Sequence, residues 1–215
     1  MLEQNVISGY VLHERVAIGG MAEVYLASDL QRRSPHLTLA VKRLLPHLLS
    51  DPTAHTRFEA EAQLSQTLHH PNIPEFIDYG TEDNRPFLVT TYVSGVSLND
   101  LSAHCMEHMC PPEDGLVAHV GYEIAHTLNY LHEQKDEHGR SLLHRDVTPS
   151  NLLIGVDGNV FLIDFGIARA QDLDGDHAIN LEGKEGYHPP EVLAGVHFDA
   201  RADLYSLALS LLQFW

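Results

Sequence analysis

A change of periodicity at Gly95 narrows the fold of this chain more than any other feature of its sequence. Before it lie short runs rich in β-branched, aromatic and aliphatic residues, Tyr10 to Val16, Val24 to Ser28, Leu37 to Arg43, Phe76 to Tyr79 and Phe87 to Val93, separated by Gly, Asp, Pro or Asn. They predict an antiparallel meander. One helix interrupts it: Asp51 can cap, Pro52 suits the first helical position, and Phe58, Ala62, Leu64 and Leu68 make a stripe that ends before Pro71. After Gly95 the spacing turns helical, and Leu116, Val120, Ile124, Leu128 and Leu131 mark one buried face of a helix of about five turns. Leu142-Leu143, Leu152 to Ile154 and Val160 to Ile163 are apolar pieces too short for helices, with Asp157-Gly158-Asn159 as a hairpin turn. A polar stretch from Gln171 to Gly186 precedes a last apolar helix, about Ala200 to Trp215.

Composition excludes several classes of function. With 215 residues, 44% hydrophobic and 20% charged, the chain can bury a core and is not a disordered tail. Thirty acidic residues against 13 Lys+Arg give a formal charge of -17, which disfavours a phosphate-tracking surface, so no nucleic-acid partner is expected. No stretch reaches the ~18 apolar residues of a membrane span, and the start lacks a basic, then apolar leader, so no membrane partner is expected either. Two cysteines, Cys105 and Cys110, are too few for a disulfide scaffold and fit a reducing, cytoplasmic location.

Several segments carry chemistry. Ala17-Ile18-Gly19-Gly20-Met21-Ala22-Glu23-Val24 joins two strands with small residues, and reads equally as a plain hairpin turn or as a loop whose amides approach a phosphate. Lys42 in Ala40-Val41-Lys42-Arg43 points an ammonium to one face of the sheet, and Glu61 on the next helix could neutralise and orient it; taken alone, each is an ordinary surface residue. Less ambiguous are His144-Arg145-Asp146-Val147-Thr148-Pro149-Ser150-Asn151 and, further on, Asp164-Phe165-Gly166. Phosphoryl transfer needs a carboxylate at the acceptor hydroxyl, oxygen ligands for Mg²⁺ and cations for the moving phosphoryl group, and these residue types supply them.

In this order the motifs resemble the eukaryotic-like protein kinase family, and its bacterial Ser/Thr branch in particular. The resemblance also rests on the Leu68-His69-His70-Pro71-Asn72-Ile73 segment, Pro189-Pro190-Glu191 and Asp203-Leu204-Tyr205-Ser206-Leu207. It implies an α+β, two-lobed kinase-like fold: residues 1–92 an antiparallel sheet with one helix, and 93–215 a mainly helical lobe that stops in its central helix. ATP and Mg²⁺ are the implied cofactors and a protein hydroxyl the implied substrate. Carried over residue by residue, Asp146 is the catalytic base, Lys42 holds phosphates with Glu61 as its partner, and Asn151 and Asp164 are the metal ligands. Ala17, Ile18, Gly19 and Gly20 form the phosphate loop. Val24, Ala40 and Leu153 sandwich the base, Thr90 is the gatekeeper, and the backbone of residues 91–93, including Tyr92 and Val93, is available to adenine. His144 is expected to pack beneath Phe165.

Departures from the family pattern qualify that expectation. Ala17 and Ala22 replace two glycines, and Thr148 stands where such kinases usually carry a lysine; losing one preorganised charge-stabilising group typically lowers a rate by ~10²–10³. From Ile167 to Gly186 there is no Ser, Thr or Tyr to phosphorylate, while Asp172, Asp174, Asp176 and Glu182 supply fixed charge and Lys184 could replace the missing cation. The last helix would lose cover over Leu204, Leu207, Leu209, Leu211, Leu212, Phe214 and Trp215, so the sequence reads, in order of preference, as a C-terminally truncated domain, one covered by a partner chain, or one whose stop is real and whose product is unstable. A nucleotide-binding pseudokinase or scaffold is the alternative function, and Pro189-Pro190-Glu191 disfavours a small-molecule kinase. The His104 to Cys110 cluster lacks the paired spacing of a zinc site and reads as surface.

Overall fold

A computed structural model of the chain describes residues 5–31, 37–136, 138–165, 169–170, 186–194 and 199–215. The chain divides into two compact units, one formed by Met1–His69 with Pro74–Tyr92, the other by His70–Ile73 with Val93–Trp215.

The first unit is an antiparallel sheet of β1 (Asn5–Ile7), β2 (Tyr10–Ile18), β3 (Ala22–Asp29), β4 (Leu39–Leu44), β5 (Phe76–Glu82) and β6 (Arg85–Thr91), in the spatial order β1-β2-β3-β4-β6-β5. Every strand anticipated from the sequence forms, and β1 is added at the edge. Two-residue turns close β1–β2 and β5–β6, with Ser8, Gly9, Asp83 and Asn84 all at positive φ, as hairpins matching the strand twist require. Helix α1 (Pro52–Thr67) begins as expected, with Asp51 Oδ1 accepting from the Thr53 N–H at 2.9 Å. Its buried positions are Ala54, Phe58, Glu61, Ala62 and Ser65, whereas Leu64, expected in the stripe, is only half-buried.

Paired residues on neighbouring strands point to the same side of a sheet, so the register separates two faces. Ala22, Leu44 and Leu88 pack with Ala54, Phe58 and Ala62 of α1. The other face carries Tyr10, Leu12, Ala27, Leu39, Val41, Phe87 and Val89. Val24 pairs with Lys42, Lys42 with Leu88 and Ala40 with Thr90, so these residues lie on the face that bears α1.

The second unit begins with β7 (Gly95–Ser97), followed by α2 (Leu98–His108) and α3 (Asp114–Glu133), then β8 (Leu142–Leu143), β9 (Leu152–Gly155), β10 (Val160–Leu162), β11 (Arg169–Ala170), α4 (Pro190–Leu193) and α5 (Ala200–Phe214). Strands β10, β9 and β7 form one small sheet, and β11 pairs with β8. The turn between β9 and β10 is the expected Asp157-Gly158-Asn159, with Gly158 at φ 85. Strand β7 was not anticipated. Gly95 sits so close to β9 that a Cβ there would lie 2.2 Å from the Ile154 carbonyl oxygen, which only glycine permits.

Helix α3 buries Val120, Ile124, Thr127, Leu128 and Leu131, close to the expected stripe, and packs on α5 and β10. In α5, Asp199 caps the start and Ala202, Asp203, Ser206, Leu207, Ser210 and Phe214 are buried. Of the residues expected to lack cover, Leu204, Leu212 and Trp215 are 46%, 65% and 68% exposed, whereas Leu207 and Phe214 are 5% and 3% exposed. Gly166, Asp172, Asp174, Asp176, Glu182 and Lys184 lie outside the described residues. Among the described residues no helix is long and apolar enough to cross a membrane.

Candidate active site

In the first unit the β2–β3 hairpin carries Ala17, Ile18, Gly19 and Gly20, all exposed, closed by a bond from the Gly19 N–H to the Ala22 carbonyl at 2.8 Å. Neither glycine needs its missing side chain for backbone reasons. A Cβ on Gly20 would meet nothing within 4 Å and one on Gly19 only the Ala22 oxygen at 3.6 Å, so the turn leaves open space over Gly20 while the Gly19 N–H is spent within the turn. Ala17 pairs with Val24 and Val24 with Lys42, which places the loop's root beside the lysine on one sheet face. The Lys42 ammonium lies 2.5 Å from Glu61 Oε1, with side-chain exposures of 17% and 4%. Such a pair repays its desolvation only because the geometry is close.

Thr90, Thr91 and Tyr92, expected near the adenine, also lie in this unit, and two of their N–H groups are engaged. The Thr91 N–H donates to the Glu75 carbonyl at 2.9 Å and the Tyr92 N–H to the Thr38 carbonyl at 2.8 Å. Neither N–H is available to a base. Of residues 91–93, Val93 alone has an N–H that makes no hydrogen bond to a described residue.

A charged cluster that the sequence reading missed braces the same hairpin. Glu23, 6% exposed, accepts from Arg15 on β2 at 3.1 Å and from Arg85 on β6 at 2.5 Å, and Arg85 also donates to the Leu44 carbonyl at 2.6 Å. Burial pushes the Glu23 carboxyl up, yet the bonds from Arg85 and Arg15 win and hold it below the ordinary carboxylate range. The visible signal was an acid inside an otherwise apolar strand.

In the second unit the residues from His144 to Asn151 form a loop held by α5. Asp203, 1% exposed, accepts the backbone N–H groups of His144 and Arg145, each at 2.8 Å, and its Oδ2 also takes the His132 Nε2 at 2.8 Å. Ser210 adds a bond to the Val147 carbonyl at 3.1 Å. This bracing lets Arg145 stay at φ 66, a left-handed conformation that non-glycine residues seldom adopt and that gathers at functional sites. Asp203 and His132 were not among the site residues expected from sequence. A lone carboxylate in the first turn of an apolar helix was the available clue.

The loop presents Asp146 and Asn151 together. The Asn151 amide nitrogen donates to both the carbonyl and the Oδ2 of Asp146, each at 2.9 Å. With its nitrogen so engaged, Asn151 Oδ1 faces elsewhere and accepts from no described residue. The Ile163 N–H donates to the Asn151 backbone carbonyl at 3.0 Å, which ties the start of the segment bearing exposed Asp164, at φ 65, to the loop. An amide oxygen and a carboxylate are hard oxygen donors, of the type that suits Mg²⁺ and not a soft metal. Among the described residues no group of three His, Cys, Asp or Glu could hold a metal, so this pair would need oxygens from a ligand or water.

His144 packs edge-on against Phe165, with ring centroids 4.9 Å apart at 65°, as expected. Its Nε2 donates to the Ile163 carbonyl at 3.2 Å and its Nδ1 accepts the Asp146 N–H at 3.3 Å, so the ring is neutral and tethers both acidic segments. Complete burial holds its pKa below the ordinary value despite the carboxylates of Asp203, Asp146 and Asp164. Thr148, 1% exposed, places its hydroxyl oxygen without a hydrogen-bond partner among the described residues. A depression beside it is lined by Arg145, Asp146, Val147, Thr148, Tyr187 and His188. Leu153 is half-buried on β9, opposite Ser97.

Comparison with known proteins agrees with this fold. The tyrosine-protein kinase MasK of Myxococcus xanthus is 34% identical over 209 residues, 95% of this chain and 32% of that protein. The serine/threonine-protein kinase PknB of Mycobacterium tuberculosis is 36% identical over 211 residues, again 95% of this chain and 32% of its own length. The chain thus spans about a third of these curated relatives. A crystal structure of a mutant Mycobacterium tuberculosis PknI kinase domain superposes with a TM-score of 0.72 at 29% identity, covering 100% of this chain and 77% of that one. Residues 10–215 match the protein kinase domain, and the chain belongs to that family.

Proposed function

We propose that this chain transfers the γ-phosphoryl group of ATP, with Mg²⁺, to a serine or threonine hydroxyl of a protein. The observation that supports the reading is the Asp146–Asn151 pair, in which one amide nitrogen holds Asp146 by its carboxylate and by its backbone carbonyl and leaves the amide oxygen for a metal. In this reading residues 1–92 are the lobe that holds phosphates and adenine, and residues 93–215 carry the chemistry.

Lys42, oriented by Glu61, holds the α- and β-phosphates, and the open turn at Gly20 covers them. Val24, Ala40 and Leu153 contact the base, Thr90 bounds its pocket and the Val93 N–H donates to it. Mg²⁺ held by Asn151 Oδ1 and Asp164 would neutralise charge on the phosphate oxygens. Asp146 accepts the proton of the acceptor hydroxyl, and the depression lined by Thr148, Tyr187 and His188 receives the acceptor chain. The missing cation at Thr148 favours a second reading, a nucleotide-binding pseudokinase.

Labelled ATP and a generic basic protein acceptor separate the two. Transfer by the wild type that disappears in Asp146→Asn, with phosphoserine or phosphothreonine in the acid hydrolysate, is expected. Equal label in both proteins, or phosphotyrosine alone, would overturn the reading.

A further inference from the structure

Helix α2 ends in a capping motif that brings the chain's two cysteines together. Met109 adopts the left-handed conformation at φ 49 and ψ 40, its N–H bonds the Met106 carbonyl at 3.4 Å, and the Cys110 N–H bonds the Cys105 carbonyl at 3.0 Å. That double closure is the Schellman arrangement, in which the residues joined by the wider, six-residue closure frequently meet through their side chains as an apolar pair. Here both are thiols. With ~1.5 Å from a nitrogen to its own Cα and ~2.4 Å from a carbonyl oxygen to its Cα, a 3.0 Å bond keeps the two Cα atoms within about 7 Å. Disulfides span such separations.

We propose that Cys105 and Cys110 form a reversible oxidation site at which a peroxide converts the two thiols into an intramolecular disulfide across the C-terminus of α2. Cys110 is exposed and Cys105 half-buried. Burial and the neighbouring Cys110 sulfur raise the pKa of the Cys105 thiol, so Cys110 is the first thiol to react. The Cys110 thiolate attacks one peroxide oxygen, the O–O bond breaks, and the departing hydroxide takes a proton to leave as water, giving a sulfenic acid. The Cys105 sulfur then attacks the Cys110 sulfur, the S–O bond breaks and a second water leaves. Two thiols are oxidised by two electrons and one peroxide is reduced to two waters. The ring so closed is short and exposed, the kind that thiol reductants reopen. Neither thiol belongs to the phosphoryl-transfer site, so the proposal stands apart from the kinase reading.

Stoichiometric hydrogen peroxide followed by intact-mass analysis and peptide mapping without reduction tests it. The expected product has lost two hydrogens, carries an internal link between Cys105 and Cys110, and returns to the starting mass with dithiothreitol. The Cys110→Ser variant should show no such loss. In urea-unfolded protein the cap geometry is gone, and disulfide formation should slow at least tenfold. Sulfinic acid, sulfoxide at the exposed Met106 and Met109, or intermolecular dimers as the sole products would overturn the proposal, as would equal rates in folded and unfolded chains.

Discussion

Glu61 Oε1 lies 2.5 Å from the Lys42 ammonium although helix and strand are joined by a separate 3₁₀ turn, and both groups are largely shielded from water. Removing one partner of a shielded pair leaves an uncompensated charge, which lowers stability by up to about 3–5 kcal/mol when burial is complete. Glu61→Gln keeps the shape and loses the charge. We expect a fall of about 10²-fold in kcat/KM for ATP, together with weaker ATP-analogue binding by calorimetry; unchanged binding would mean that the pair does not position phosphates.

Asp203 satisfies three donors at once, the N–H groups of His144 and Arg145 and the ring of His132. Each buried donor left without an acceptor costs about 1–3 kcal/mol. Asp203→Ala should therefore lower unfolding free energy in urea by several kcal/mol, and by about 10²-fold or more the rate of any surviving folded protein, since the loop bearing Asp146 loses its anchor. Asp203→Asn, which keeps an accepting oxygen, should fall between alanine and wild type.

His144 gives the fold a pH dependence whose direction follows from its neutral, buried ring. Its folded pKa is lowered from 6.5, so above pH 6.5 neither state binds the proton and stability is flat. As pH falls through 6.5 toward the folded value, the unfolded chain takes up a proton that the native ring refuses, and stability drops by up to about 1.4 kcal/mol per pH unit. His70 is lowered in the same direction by partial burial and the nearby His126, and Glu23 extends the loss below pH 4.5. Urea midpoints between pH 7.5 and 5 should fall in the wild type and fall less steeply in His144→Gln. Parallel slopes would count against this assignment.

Gly95 is required by contact and not by an unusual φ. A methyl group there would have to pass within 2.2 Å of the Ile154 carbonyl oxygen, so β7 and β9 must separate in Gly95→Ala. We expect a loss of about 1–3 kcal/mol, read as a lower melting temperature. Gly20→Ala, where a methyl meets nothing within 4 Å, should leave melting unchanged.

These contrasts show what a linear sequence can carry. Asp51 followed by Pro52, the turn at Gly158 and the stripe along α3 are local patterns, and each became the element it predicted. Strand β7 escaped because its three residues mean nothing until β9, more than fifty positions away, supplies the partner. The Lys42–Glu61 contact was one open reading of the residues that resemblance to a family made definite, the packing of His144 on Phe165 came from that resemblance alone, and the tether of Asn151 to Asp146 was not anticipated. Two features needed coordinates outright: that the Glu75 and Thr38 carbonyls accept the N–H groups of Thr91 and Tyr92, and that Asp203 reaches back to a loop some sixty residues earlier.

The tetrapeptide His70–Ile73 groups with the second unit while the chain on both sides of it belongs to the first. Asn72 fastens it there, its side-chain amide donating to the Val160 carbonyl at 2.7 Å and to Glu123 at 3.1 Å. The polypeptide therefore crosses from one unit to the other three times. Neither half is a cassette that recombination could trade with a single junction: a foreign first unit would arrive with its own tetrapeptide, and that peptide would have to find an amide-accepting carbonyl and an acid waiting in its new host.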